Sequence, residues 1–265
     1  MIKICDNKQQ EEVLGYIGDD YPKCLYLYLD IIKYGCSSET TRTWIQYSDG
    51  EITAVALAYH TALHIFSRNN DLDSKEVSEL VKEIKPTIVI STAETIKIIE
   101  PTLTEMGFLS EFGHIGEWMG STNNQEYCEV VEAEPQDLPE VARMLYEDDD
   151  IGASYVYEDL LKQMQERLAQ GFVRSYVIRE EGKPVAHVGT GAETHSVCTI
   201  AYTITSHNYR GQGFARKLYA QACGILKKEG KRIFSVYYPD SARAFHHKVG
   251  FVDICECGKL YRVVK

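Results

Sequence analysis

The stretch Ile200-Ala-Tyr-Thr-Ile-Thr-Ser-His-Asn-Tyr-Arg210-Gly-Gln-Gly-Phe-Ala-Arg-Lys-Leu218 limits the possible folds of this chain more than any other. A β-branched run, suited to a strand, passes through a polar turn into Arg210-Gly211-Gln212-Gly213-Phe214-Ala215-Arg216 and then into a helix. Apolar residues at 215, 218, 222, 225 and 226 share one face at helical spacing, which puts the glycines at the helix N-terminus. The first turn of a helix exposes N–H groups without intrahelical partners at the positive end of the dipole, and together these make an anion site. Gly211 and Gly213 let the backbone approach an anion closely and take positive φ. Arg210 and Arg216 add donors that match phosphate oxygens. Two familiar phosphate loops do not fit. A Walker A loop closes on Gly-Lys-Ser/Thr where this chain has Gly213-Phe214-Ala215, and a dinucleotide fingerprint wants glycine or alanine where Arg216 stands.

Around that element the 265 residues fall into two segments of similar size. Ser121-Thr-Asn-Asn-Gln-Glu126 is polar, lacks apolar periodicity and reads as a linker, giving one domain over 1–120 and a second over 127–265. In the first, Tyr21–Tyr34 predicts a helix ending at Gly35. Strands follow at Thr43–Tyr47, Ile52–Ala58 and Ala62–Phe66, with Asp49-Gly50 as a hairpin turn. A helix over Ser74–Ile84 with Ser74 as N-cap stops at Pro86, and a strand at Thr87–Ser91 and a helical stretch toward Met106 come next. The second segment begins with a strand near Glu129–Glu132, helices at Asp137–Tyr146 and Tyr157–Gln170, and strands at Arg174–Arg179, Val185–Ala192 and Val197–Thr205. Helix Phe214–Glu229, strand Arg232–Tyr238, helix Ser241–Val249 and a last strand Val252–Val264, broken at Gly258, complete a mixed α/β sheet. Gly107-Phe108 and Gly250-Phe251 each end a helical stretch ahead of a terminal strand, in segments with the same order of elements. Unless two Gly-Phe pairs coincide by chance, this marks two related folds, the first without its glycine loop: Phe66-Ser-Arg-Asn-Asn70 holds no Gly-x-Gly.

Arg-x-x-Gly-x-Ala at 210–215, after a strand and before a helix, resembles the acetyl-CoA signature of the GNAT superfamily of N-acetyltransferases. Ala242-Arg-Ala-Phe-His-His-Lys-Val-Gly250-Phe251 resembles that superfamily's second block, and the interval between the two fits one helix and one strand. The likeness covers residues 127–265, and the N-terminal segment more faintly resembles the degenerate first half of two-domain members. It implies an α/β (α+β) fold of two tandem GNAT-like mixed-sheet domains flanked by helices, the N-terminal one degenerate. The strand before the loop would splay from the strand after the helix and open a V-shaped slot for the pantetheine arm of acetyl-CoA. Backbone groups of Tyr202, Thr203 and Ile204 would pair with that arm, one of their N–H groups polarising the thioester carbonyl. Backbone N–H groups from Gly211, Gln212, Gly213, Phe214 and Ala215 would hold the pyrophosphate, with Arg210 and Arg216 beside them.

The family transfers acyl groups directly to amines. An alkylammonium with a pKa near about 10.4 must lose a proton before it attacks, and the leaving thiolate gains from a donor, often a tyrosine four residues before the glycine of Gly-Phe. His246 stands there in this chain. It either donates or is a helix-surface histidine, with Tyr237 and Tyr238 as substitutes. Glu193, at the end of the Val185–Ala192 strand, is the first candidate for the base, with His187, His195 and Tyr202 as competitors. Cys198 suggests either a covalent acyl-enzyme or a buried structural thiol. The acidic run Glu147-Asp-Asp-Asp150 either attracts a cationic amine or is a solvated loop.

A composition of 44% hydrophobic and 25% charged residues is that of a globular protein, and no apolar run approaches the roughly 20 residues of a membrane span. The eight cysteines are scattered without paired zinc spacing, which favours buried free thiols and no metal. With no apolar leader visible, a cytoplasmic location is expected. A net charge of −11 speaks against nucleic acid as a partner. These readings predict an acyl-CoA-dependent N-acyltransferase moving acetyl from acetyl-CoA to a primary amine of a small molecule or peptide. Transfer of a longer acyl chain, and a non-catalytic acyl-CoA-binding sensor, are the alternatives; the oligomeric state is left open.

Overall fold

The computed structural model describes residues 1–121, 127–149, 151–152 and 155–262. Most of the predicted linker, Asp150 of the acidic run and the end of the last predicted strand lie outside them.

Two compact units share the chain, and neither is one consecutive stretch. Unit 1 holds Met1–Ile115, Tyr237–Pro239 and Asp253–Val263, while unit 2 holds Gly116–Val236 and Asp240–Val252. In unit 1, β1 (Ile2–Cys5), α1 (Gln10–Ile17) and α2 (Leu25–Tyr34) precede the meander β2 (Thr41–Ser48), β3 (Glu51–Tyr59) and β4 (Ala62–Phe66). Then come α3 (Ser74–Ile84), β5 (Ile88–Thr92), α4 (Ala93–Thr104) and β6 (Leu109–Trp118). The sequence gives little sign of β1 or α1, both short and polar on one side. It also starts α2 too early: Gly18–Cys24, with Pro22, is a 3₁₀ segment, as expected where a proline removes a helical donor. Asp49 and Gly50 take positive φ in the predicted hairpin turn. Asp73, not Ser74, caps α3; its carboxylate accepts from the N–H groups of Lys75 and Glu76.

β4 and β5 pair in parallel, and β12 (Phe251–Tyr261) adds antiparallel to β5 from Cys257↔Thr92 to Tyr261↔Ile88. β12 runs unbroken through Gly258, against expectation. The glycine is there for close packing, since a Cβ would come within 3.0 Å of Ile96 and 3.2 Å of Phe112. Leu260 joins Leu63, Ile65, Val81, Val89, Ile96 and Phe108 in the core.

Unit 2 contains β7 (Val130–Glu132), α5 (Leu138–Glu147), α6 (Tyr157–Ala169), β8 (Ser175–Glu180), β9 (Lys183–Glu193) and β10 (Val197–Thr205). After β10 follow α7 (Phe214–Lys228), β11 (Arg232–Tyr237) and α8 (Asp240–Lys248). The strand order is β11-β10-β9-β8-β7, with β10 and β11 parallel and the others antiparallel. The predicted elements match within a few residues. One core packs α7 on Ile178, Val188, Ile200 and Ile233; another packs α5 and α6 on Val177 and Ile204. The Gly-Phe echo has a physical basis in each unit. Gly107 and Gly250 both take positive φ, and Phe108 and Phe251 are both buried. At Gly250 a Cβ would also stand 2.9 Å from the indole nitrogen of Trp118.

Candidate active site

The start of α7 is built as an open cradle. Gly211 and Gly213 lie in the left-handed region at φ +78° and +81°, which glycine occupies without a Cβ clash. Gly213 is the N-cap, and no side chain caps the helix. Lys217 N–H bonds to the Gly213 carbonyl at 3.1 Å, so the N–H groups of Phe214, Ala215 and Arg216 are the first-turn donors with no carbonyl a turn behind them. A Cβ at Gly211 or Gly213 would meet nothing within 4 Å. The space beside both glycines is open, and the first-turn amides suit a diphosphate in charge. Arg216 is exposed beside it. Arg210 is held from behind: its Nε donates to the Thr205 carbonyl at 3.1 Å and its Nη2 to the Asp148 carboxylate at 2.7 Å. Asp148 thereby ties the end of α5 to the glycine loop, an ionic role for one member of the acidic run.

Upstream of the cradle, β10 parts from β11 and bulges on β9. Its parallel register with β11 ends at Ile200↔Ser235. On the other side, Ala201 pairs with Gly189 and Ile204 with His187, so Tyr202 and Thr203 face the single residue Val188 in a bulge. Tyr202 sits at φ +54°, a region that costs a residue with a Cβ about 1–2 kcal/mol. Neither Tyr202 nor Thr203 has a ladder partner on β9 or β11. An extended ligand arm can therefore pair with this segment as a strand would, along the backbone that leads to the cradle.

Side chains hold the bulge on both faces of the sheet. From β9, His187 Nδ1 lies 2.6 Å from the Tyr202 carbonyl, a bond that fixes the Nδ1–H tautomer. His187 is fully buried, and burial lowers its pKa to about 4. On the other face the Thr203 hydroxyl meets the Tyr219 hydroxyl at 2.9 Å, and this meets His246 Nε2 at 3.0 Å. Ser235 Oγ is 3.0 Å from the same nitrogen. His246 Nδ1 lies 2.7 Å from the Ala242 carbonyl, one helical turn back, so Nδ1 carries the hydrogen and Nε2 is the acceptor. Burial lowers the His246 pKa to about 4 as well, which keeps the ring neutral. His246 is thus buried in the core side of α8, linked through Tyr219 to the bulge.

The remaining candidates have other surroundings. Glu193 is mostly buried and bound by Arg174 in two contacts, with Lys231 at 3.4 Å. His195 is exposed in the turn that follows. Tyr237 and Tyr238 belong to unit 1, where Tyr237 donates to Asp253 and Tyr238 lies under the Lys259 ammonium. Cys198 is buried and its thiol is pushed up to about 12, which withholds the thiolate that an acyl-enzyme requires. All eight cysteines are free thiols. Among the described residues no helix is long and apolar enough to cross a membrane.

Sequence reasoning passed over Tyr219. It flanks Leu218 on the buried stripe of α7, and a tyrosine on such a stripe must find a hydrogen-bond partner. That was the available signal.

Residues 139–251 match the model of the acetyltransferase (GNAT) family. No curated protein matches the chain. Among solved structures, a Drosophila protein superposes over 99% of this chain and 98% of its own, at 8% identity and a TM-score of 0.70. A GCN5-related N-acetyltransferase-like protein from Streptococcus suis 89/1591 does so over 97% and 100%, at 11% identity and 0.63. A tandem GNAT protein from the clavulanic acid biosynthesis pathway covers 98% of both chains, at 11% identity and 0.57. Identities this low speak for fold alone. The family match is different in kind, since it encloses the cradle, the bulge and the Gly250-Phe251 turn. The chain has the mixed α/β architecture of tandem GNAT proteins, and its residues 139–251 match the GNAT acetyltransferase family, whose members transfer acyl groups from acyl-CoA.

Proposed function

We propose that the protein acetylates a primary amine of a small molecule or peptide, with acetyl-CoA as donor, and that residues 127–265 carry the chemistry while 1–120 form a degenerate companion domain. One observation carries the reading: an uncapped glycine helix start stands directly downstream of a strand segment left unpaired by a bulge. The first-turn amides of α7 grip the diphosphate, with Arg216 beside it. The pantetheine arm then lies along Tyr202, Thr203 and Ile204, and brings the thioester to the bulge.

The nitrogen lone pair of the neutral amine attacks the thioester carbonyl carbon. Charge gathers on the carbonyl oxygen and is met by a backbone N–H of the bulge, a donor worth about 10²–10³ in rate in comparable sites. The C–S bond breaks with its electron pair going to sulfur. Nitrogen gives up one proton and sulfur takes one, so the products are an amide and the CoA thiol. His246, neutral and without a free N–H, acts through the Tyr219 hydroxyl, which reaches Thr203 in the bulge. Glu193, engaged by Arg174 and Lys231, is given no part in the proton path.

Calorimetry with acetyl-CoA, followed by CoA release against a panel of primary amines, tests the proposal. Micromolar binding and turnover on at least one amine are expected. Binding with no turnover on any amine favours an acyl-CoA sensor, and faster turnover with a longer acyl donor replaces acetyl as the group transferred. Absence of binding removes the proposal.

A further inference from the structure

A residue with a Cβ does not stay at φ +54° unaided. The strain at Tyr202, about 1–2 kcal/mol, has to be offset by contacts that exist only in that conformation. The backbone ladder provides none, since the pairing of β9 with β10 jumps from Ala201↔Gly189 to Ile204↔His187. What does meet the Tyr202 backbone is the His187 ring, with Nδ1 2.6 Å from its carbonyl. His187 is fully buried, wedged where a Cβ on Gly189 would come 3.1 Å from its Cε1. Its other nitrogen, Nε2, is buried without a hydrogen-bond partner. An unpaired buried acceptor costs about 1–3 kcal/mol, and an apolar side chain at this place would avoid that cost. Val177 and Ile204, the register partners of His187 on β8 and β10, both belong to an apolar cluster.

We infer that His187 is a positioning residue for acyl transfer: its Nδ1–H holds the Tyr202 carbonyl, and so keeps the left-handed bulge that aims the backbone N–H at the thioester oxygen. The inference rests on the function proposed above. It explains why a histidine that touches neither the cradle nor the proton path sits among apolar side chains with one ring nitrogen unpartnered. The hydrogen bond sets a direction as well as a contact. With the carbonyl of Tyr202 fixed toward β9, the peptide plane that follows is fixed too, and with it the N–H of Thr203.

The test uses the full chain and three substitutions. His187→Asn places an amide nitrogen where Nδ1 stood. His187→Gln places it one bond further, near the position of Nε2. His187→Leu has no donor at all. Acetyl-CoA affinity is read by calorimetry, kcat and KM by CoA release with the best amine of the panel, and folding by the thermal midpoint. For Leu and Gln, kcat is expected to fall about 100-fold, as for loss of one oxyanion donor, while acetyl-CoA affinity stays within about threefold because the cradle is untouched. For Asn, kcat is expected within about tenfold of the wild type. A folded Leu or Gln variant that keeps wild-type kcat overturns the inference, and so does an Asn variant as slow as the Gln variant. Should Leu fail to fold, the contrast between Asn and Gln still decides. A wild type that neither binds nor turns over acetyl-CoA removes the proposed function itself, a different outcome from equal kcat across the three variants.

Discussion

Helix α3 of unit 1 and helix α7 of unit 2 follow matching strands and start in opposite ways. In both units a parallel strand pair precedes or flanks the helix, β4 with β5 and β10 with β11, and in both a serine on the second strand donates to an isoleucine carbonyl on the first. Ser91 Oγ reaches Ile65 O at 2.7 Å, and Ser235 Oγ reaches Ile200 O at 3.3 Å. At α3 the carboxylate of Asp73 fills the helix N-terminus, bonding to Lys75 N–H and Glu76 N–H. At α7 Gly213 leaves the same place open. The strands differ in the same sense. β3 pairs with β4 without a break from Val55↔Phe66 to Tyr59↔Ala62, whereas β10 is bulged and half unpaired. Unit 1 closes its helix start with its own carboxylate and keeps an unbroken strand ladder. Unit 2 keeps an uncapped glycine start, which costs about a few tenths of a kcal/mol against a capped one, and a strained bulge at about 1–2 kcal/mol, and those unsatisfied groups are what a cofactor can bind.

Closing the cradle as unit 1 closes its own is the sharpest way to break this contrast. Gly213→Asp brings a carboxylate to the start of α7, at a φ that aspartate tolerates better than most residues. Charge repulsion and loss of the first-turn donors should raise the acetyl-CoA dissociation constant at least about 100-fold, or about 2.7 kcal/mol, with little change in thermal midpoint. Unchanged binding by calorimetry would mean that the two helix starts do not differ in function.

Acid should strike unit 2 through its buried histidines. Unfolded, each imidazole takes up a proton below about pH 6.5; folded, His187 and His246 do so only below about 4. Between those values the unfolded state holds more protons, so stability is complete above about pH 6.5 and falls with falling pH by about 1.4 kcal/mol per pH unit for each histidine. Thermal midpoints between pH 7 and pH 4.5, marked by the near-ultraviolet signal, check this. His246→Phe should make the slope shallower, and an unaltered slope would place the acid sensitivity elsewhere.

Asp73→Ala tests the same comparison from unit 1. Loss of the cap should lower stability by about 1 kcal/mol, measured by urea unfolding, and acetyl-CoA should still bind at one site per chain. A second site would show that Asp73 alone masks a working cradle, although β4 has no bulge to receive the pantetheine arm.

Much of this contrast was legible in the sequence, because its parts are local. Gly211, Gly213 and the stripe on α7 announce a glycine helix start, and Gly250-Phe251 announces a tight turn that a Cβ would block. The absence of glycine in 66–70 likewise marks unit 1 as closed. What stayed hidden depends on contacts distant in sequence. The bulge at Tyr202 arises from the register of β9 on β10, and nothing in a tyrosine predicts φ +54°. The link from Thr203 through Tyr219 to His246 joins three elements, and the bonds of Glu193 with Arg174 span 19 residues. The placement of residues 253–262 in unit 1 follows from the pairing of β12 with β5, which periodicity alone cannot assign.

The smallest expected effect concerns an arginine that both units treat alike. After β4, Arg68 Nε is 3.1 Å from Asp20; after β10, Arg210 Nη2 is 2.7 Å from Asp148. In unit 1 the helix that follows the pair is capped by Asp73. In unit 2 it sits at the edge of the proposed anion site, where the Asp148 charge would offset part of the attraction of Arg210 for a diphosphate. Asp148→Asn keeps an oxygen for the Ile151 N–H, bonded at 3.0 Å, and removes only the charge. Half-exposed ion pairs contribute about 0.2–1 kcal/mol, so acetyl-CoA should bind up to about fivefold tighter at low ionic strength, and the gain should fade as salt screens the loop. Weaker binding would instead assign Asp148 to holding the loop in its receptive shape. The comparison between the units would then extend from the helix cap to the ion pair behind it, a contact that would serve cofactor binding in unit 2 and only the fold in unit 1.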